Sequence, residues 1–169
     1  SQTHQNILSY LPLCHVAEQA FSTMNAMARR MVVNFGESLR TIRTDLQEIS
    51  PQMFFGVPRI WEKMQSELTV LGDRTGPMRR WLLHKALKSA QRRGAIPRSQ
   101  WTGKEKLSYA LYRPFLYAPL LSYLGLARCN IAMTAAAPIS PDLLAMFRGM
   151  GLPLIEIYGM TETTGAATL

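Results

Sequence analysis

The run Ile155-Glu156-Ile157-Tyr158-Gly159-Met160-Thr161-Glu162-Thr163-Thr164-Gly165 gathers the side chains of this sequence best suited to chemistry. An apolar stretch ends in Tyr-Gly, and a cluster of hydroxyls then surrounds one carboxylate. Tyr158 offers a flat face on which a base can stack. Gly159 lets main chain approach a ligand closely. Thr161 can donate a hydrogen bond to a phosphate oxygen, and Glu162 supplies the hard oxygen that Mg2+ takes. These residue types suit a nucleotide; a strand running into a polar turn accounts for the same letters. Upstream, Met133-Thr134-Ala135-Ala136-Ala137-Pro138-Ile139-Ser140 leaves room for a ligand against the main chain. Tight packing of strand on helix by alanines explains that stretch equally well.

Bringing these segments together requires strands that end side by side. Five short apolar runs read as strands: 7–11, 31–35, 53–57, 130–134 and 154–158. Several are apolar on both faces, the pattern of strands buried in a parallel sheet. Helical patterns fill the gaps at 17–28, 37–49, 58–70, 77–93 and 104–124. In 37–49, Leu39, Ile42, Leu46 and Ile49 share a face, and Ser50-Pro51 ends the helix. In 77–93, Met78, Leu82, Ala86 and Ala90 form an apolar face, and Lys85, Lys88 and Arg92 a basic one. Pro114 and Pro119 predict a kink or two helices within 104–124. Ser140-Pro141-Asp142 predicts a capped helix start, and Gly149 and Gly151 its end. The alternation is that of an α/β layered domain with a largely parallel sheet. The helices from about 77 to 124 break the rhythm and read as an inserted helical layer. In such sheets ligands sit beyond the carboxyl ends of the strands, where both candidate segments fall.

Bulk properties narrow the classes. The chain has 169 residues, 47% of them apolar, enough for one domain with a core. Cys14 and Cys129 form neither a disulfide framework nor a metal-type pair, and read as two buried thiols in a reducing cytosol. No signal peptide and no membrane-length apolar run is visible, which predicts a cytoplasmic protein. The net charge of +8 favours anionic partners, and nine of the basic residues lie between Arg79 and Lys106 against the single acid Glu105. A solvated face is the plain reading of Lys85–Arg92; peripheral contact with an anionic membrane is the other.

Four segments together resemble a known family. Tyr158-Gly159-Met160-Thr161-Glu162 is similar to the YGxTE motif of the adenylate-forming (AMP-binding) superfamily, which includes acyl-CoA synthetases, luciferases and peptide-synthetase adenylation domains. Ala135-Ala136-Ala137-Pro138 resembles the small-residue–Ala-Pro motif preceding it there. Leu11-Pro12-Leu13-Cys14-His15 resembles the LPxxH element. Phe55-Gly56-Val57-Pro58-Arg59-Ile60-Trp61-Glu62-Lys63 is similar to the GVPRxWEK signature of long-chain fatty acyl-CoA synthetases, including the bubblegum type. The likeness covers nearly the whole chain.

That resemblance implies ATP-dependent activation of a long-chain fatty acid to an acyl-adenylate and then to acyl-CoA, with ATP, Mg2+ and CoA as co-reactants. It implies Tyr158 against adenine, with Glu156, Ile157, Gly159 and Met160 around it. It implies Thr161 on the α-phosphate and Glu162 on Mg2+. Ala136, Ala137 and Pro138 would form a wall between nucleotide and acyl pockets, and His15 would lie near the acyl carboxylate or the thioester-forming face. Arg59 and Trp61 would serve helix start and core packing. Ile157 and Ala135 replace glycines common in relatives. The family's phosphate loop, ribose-binding aspartate and C-terminal catalytic lysine are not in these residues, so the chain reads as part of an AMP-binding domain and predicts no synthetase activity alone. Competing readings are an adenylating enzyme for a medium-chain, aryl or amino acid, a non-catalytic basic binding module, and a pseudoenzyme or truncated product with an interaction role. No nucleic-acid motif accompanies the charge, so a nucleic-acid partner is not expected.

Overall fold

The computed structural model describes residues 5–160 and 165–168. β1 (Asn6–Ser9), β2 (Val32–Phe35), β3 (Met53–Phe55), β4 (Ile131–Thr134) and β5 (Leu154–Glu156) form one parallel sheet in the order β2-β1-β3-β4-β5. Met53, Phe54 and Phe55 lie opposite Ile131, Ala132 and Met133, and Ala132 to Thr134 lie opposite Leu154 to Glu156. Successive side chains alternate between two cores, as the pleat requires. Leu8, Phe54, Ala132 and Leu154 join the larger core; Ile7, Met53, Phe55 and Met133 join the smaller one. That division explains why these strands are apolar throughout.

One helical stretch covers the smaller core. It comprises α1 (Val16–Glu18), a π segment Gln19–Asn25 and α2 (Ala26–Arg29), with Ala17, Phe21 and Ala26 facing the sheet. The larger core receives α3 (Ile42–Ile49), α4 (Pro58–Asp73), α5 (Pro77–Gly94), α6 (Gly103–Tyr112), α7 (Ala118–Tyr123) and α8 (Pro141–Met150). Trp61 of α4 is fully buried, edge-on to Phe54 at 5.5 Å and Phe147 at 5.1 Å. Its indole N–H donates to the Gly56 carbonyl at 2.9 Å. Truncating such a ring costs about 3–5 kcal/mol. Its role is therefore packing and fixing the β3–α4 turn.

α5 and α8 meet backbone to backbone. A Cβ on Gly94 would lie 1.8 Å from the Ala145 carbonyl oxygen, and one on Gly149 would lie 1.8 Å from that of Ala90. Beside this seam Arg93 is buried and takes part in neither ion pair found among the described residues, Arg43–Glu67 and Arg80–Asp73. Its guanidinium donates to Ser89 and Ser108 hydroxyls at 2.7 and 2.9 Å and to Tyr117 at 2.5 Å. The Trp101, Tyr109 and Tyr117 rings surround it at 5.3–5.9 Å, so aromatic faces replace a counter-ion.

Several expectations change. The second helical stretch, α3, begins at Ile42 rather than 37, because Ser38 and Thr41 close a local turn: the Ser38 N–H donates to Thr41 Oγ1 at 3.0 Å and the Thr41 N–H to the Ser38 carbonyl at 3.1 Å. Leu39 is consequently exposed. The buried face of α5 is Leu83, Ala86, Ala90 and Arg93; Met78 points to solvent. Ser140 precedes α8 but makes no side-chain capping bond. Thr102 does cap α6, in a reciprocal box with Glu105. The 104–124 region resolves into α6, a π segment Arg113–Tyr117 and α7, which accommodates the two prolines. Cys14 is exposed; only Cys129 is buried. The last strand divides: β5 ends at Glu156, and β6 (Tyr158–Met160) pairs antiparallel with β7 (Gly165–Thr168). Among the described residues no helix is long and apolar enough to cross a membrane.

Candidate functional site

In a parallel sheet all carboxyl ends lie along one edge. The exits of β1, β3, β4 and β5 therefore bring Leu11–His15, Gly56–Arg59, Ala135–Pro138 and Ile157–Gly159 to the same side. Hydrogen bonds tie neighbouring exits together. The Gly56 N–H donates to the Met133 carbonyl at 2.9 Å, and the Ile157 N–H to that of Thr134 at 2.8 Å. The Ile139 N–H approaches Glu156 Oε1 at 3.4 Å. The Val57 N–H donates to the Tyr10 hydroxyl at 3.3 Å, joining the exits of β1 and β3.

At the β4 exit Ala136, Ala137 and Pro138 are exposed. Ala136 holds φ at +78°, a left-handed conformation that L-residues avoid. The small-residue loop is thus bent by strain as well as short. At the β5 exit the Tyr158 ring is 62% exposed, Gly159 is half-buried and Glu156 is exposed. The Ile157 side chain is different: it packs into the smaller core, leaving its main chain at the edge. Met160 closes β6, while Thr161 and Glu162 lie outside the described residues.

At the β1 exit the His15 N–H donates to the Pro12 carbonyl at 2.8 Å, closing a turn. His15 then caps α1: its Nδ1 accepts the Ala17 N–H at 3.2 Å. In the neutral ring the proton consequently resides on Nε2. The imidazole is exposed. Three residues that the motifs did not single out hold this loop. The buried Glu18 carboxylate accepts the Leu11 N–H at 3.2 Å and also bonds the Ser22 hydroxyl. Burial, opposed by the Val57 N–H and reinforced by the Glu18 charge, pushes the Tyr10 phenol above its ordinary value, so it stays protonated. Glu18 stands three residues after the cap but reaches back to Leu11 rather than to the His15 N–H, which bonds the Pro12 carbonyl, so helix-capping patterns do not mark its role. Nothing local marked Tyr10.

The edge favours anions. The N-termini of α4 and α8 both open there, presenting the positive ends of their dipoles. Arg59 is exposed in the first turn of α4. Flat ring, strained small-residue loop, exposed imidazole and positive helix ends thus share one edge of one sheet. That set can stack a base, admit main chain to a ligand and balance phosphate charge.

Known proteins match this chain throughout its length. The family model described as AMP-binding enzyme matches residues 1–169. Long-chain-fatty-acid–CoA ligase ACSBG2 of Gallus gallus is 31% identical, covering 100% of this chain and 22% of that protein. Long-chain-fatty-acid–CoA ligase heimdall of Drosophila melanogaster is 33% identical, covering 98% and 25%. Among solved structures, the adenylation domain of a carboxylate reductase from Mycobacterium chelonae superposes with a TM-score of 0.60 at 17% identity, over 94% of this chain and 21% of that one. The chain thus spans about a quarter or less of the length of these relatives. By its full-length match, its α/β fold and the four exits gathered on one edge, the chain belongs to the AMP-binding, adenylate-forming enzyme family.

Proposed function

We propose that this chain supplies part of the nucleotide and acyl site of an ATP-dependent, AMP-forming fatty acid–CoA ligase acting on long chains. The observation that carries the reading is the convergence of the four motif-bearing exits on one sheet edge. The names of the relatives from Gallus gallus and Drosophila melanogaster support the substrate class.

In the reaction a fatty acid carboxylate oxygen attacks the α-phosphorus of ATP and the bond to pyrophosphate breaks. The CoA thiol then loses its proton and attacks the acyl carbonyl, and AMP leaves. The first step brings two anions together, so it needs fixed positive ends and donors. The openings of α4 and α8 and the Arg59 guanidinium serve that need. Tyr158 stacks on adenine, Gly159 and the main chain of Glu156, Ile157 and Met160 border it, and Thr161 donates to the α-phosphate. Ala136, Ala137 and Pro138 separate nucleotide from acyl chain. His15 Nε2 donates toward the acyl carboxylate. Glu162, which lies outside the described residues, offers the hard carboxylate oxygen that Mg2+ takes and would hold the ion, which would supply charge neutralisation when bound. The region 77–124 is a helical addition to a partial AMP-binding domain.

The test uses the complete natural chain. Glu162→Ala is expected to abolish ATP–pyrophosphate exchange driven by fatty acid while the melting temperature holds. A panel of acids from short to long chain, aryl and amino acids reads the specificity. Exchange driven by an aryl or amino acid, with none by long-chain acids, would replace the substrate assignment while keeping the adenylating one.

A further inference from the structure

Three bulky apolar side chains stand in solvent along one line of the helical layer: Leu107 is 73% exposed, Leu111 60% and Phe115 75%. Their four-residue spacing places them on one face of α6 and the π segment that continues it. Ala110 and Pro114 are exposed between them. The opposite face is already satisfied, with Tyr109 and Tyr117 buried around Arg93. An apolar stripe on a helix whose inward face is full marks an interaction surface.

Charge identifies the occupant. On the 3.6-residue period Lys104 falls within the stripe, between Leu111 and Phe115; Lys106 lies about 100° round from Leu107, and Arg113 lies further round still, its guanidinium over the Tyr109 ring at 6.0 Å. All three are exposed. The two ion pairs among the described residues are Arg43–Glu67 and Arg80–Asp73, so these cations take part in neither. The imbalance extends beyond α6. Residues 74–141 contain twelve Lys and Arg against the single Glu105, a net +11, which leaves −3 for the rest of a chain of +8. A protein partner covering the stripe would bury Lys104 without a counter-ion, so it would use the apolar side chains but not the cation. A helix lying in the plane of an acidic membrane uses both.

We propose that the face of α6 and its π continuation docks on membranes that carry acidic lipid, with Leu107, Leu111 and Phe115 at the acyl boundary and Lys104 and Lys106 reaching the headgroup phosphates. This does not rest on the ligase reading. It differs from contact through the Lys85–Arg92 face of α5, which has cations but a different set of neighbours.

The experiment measures co-sedimentation of the complete natural chain with phosphatidylcholine vesicles, with and without phosphatidylserine. Binding is expected only with phosphatidylserine and to weaken with salt. Leu107→Ser, Leu111→Ser and Phe115→Ser combined are expected to lower it at least about tenfold. Lys104→Gln and Lys106→Gln are each expected to lower it about fivefold. The melting temperature should hold, because every altered side chain is exposed. In a separate variant, Leu111→Trp emission should shift to the blue on acidic vesicles. Equal binding to both vesicle types, unchanged binding of the triple serine variant, or an unshifted tryptophan would overturn the proposal. So would a change of oligomeric state or a fall in melting temperature in the serine variant, which would assign the stripe to a protein contact.

Discussion

At Ala136 the main chain bends where an alanine is least comfortable, φ +78°. The left-handed conformation costs an L-residue about 1–2 kcal/mol. Glycine would remove that strain, and its greater freedom in the unfolded chain would offset about 0.4–1 kcal/mol of the gain. Ala136→Gly is therefore expected to stabilise the protein by about 0.5–1 kcal/mol in denaturant titration. Unchanged or lower stability would remove strain from the description of this loop. The two cysteines make a second contrast. Burial pushes the Cys129 thiol up to about 12, with bonds to backbone lowering it only partly. Thiolate is the reactive form. At pH 8 iodoacetamide should label Cys14, which is exposed, and leave Cys129 until the chain is unfolded. Rapid labelling of both in the native state would contradict the packing around β4.

Among the elements, the α5–α8 seam should tolerate change least. Gly149→Ala places a methyl 1.8 Å from the Ala90 carbonyl oxygen, so the helices must part. The expected loss is about 3 kcal/mol. Gly103→Ala in α6 meets nothing within 4 Å and should instead gain about 0.5–1 kcal/mol. Similar effects of both would show that the seam is not close-packed. The Thr102–Glu105 box adds a pH test. The Thr102 backbone N–H and then its hydroxyl hold the Glu105 carboxyl below its ordinary value. A lowered folded pKa gives stability present above the unfolded pKa and lost as pH falls through the folded one. The melting-temperature difference between wild type and Thr102→Val should thus be full at neutral pH and shrink in acid below the ordinary carboxylate range. These elements also show what the sequence reveals. All five strands of the sheet were legible, because a strand buried on both faces leaves a run of apolar letters. The start of α3 was not, because Ser38 and Thr41 satisfy each other locally and helical periodicity alone cannot register that competition. On α5 the reading of Ala86 and Ala90 as buried holds, but Leu83 and Arg93 rather than Met78 and Leu82 complete the face, since periodicity does not register a cation held among aromatic rings. Cys14, read as buried, sits on an exit turn that no periodicity describes.

For the whole molecule, one topological fact organises the candidate site. Strand order β2-β1-β3-β4-β5 with every strand parallel turns four segments scattered from Leu11 to Gly159 into neighbours. Sequence motifs named those segments but not what holds them: the Tyr10–Val57 bond forms only once β1 and β3 lie side by side, and Glu18, which bonds Leu11 and Ser22, lies just beyond the motif at the β1 exit. The other edge carries a cleft of about 540 Å3 lined by Arg98, Trp101 and Arg148, which offers a rival place for an anionic ligand. Photolabelling of the complete natural chain with an azido-adenine nucleotide, followed by peptide mapping, separates the two edges. The account predicts label in peptides containing 133–140 and 155–165, competed by ATP. Label confined to 94–101 and 148–155, or none that ATP competes, would contradict it.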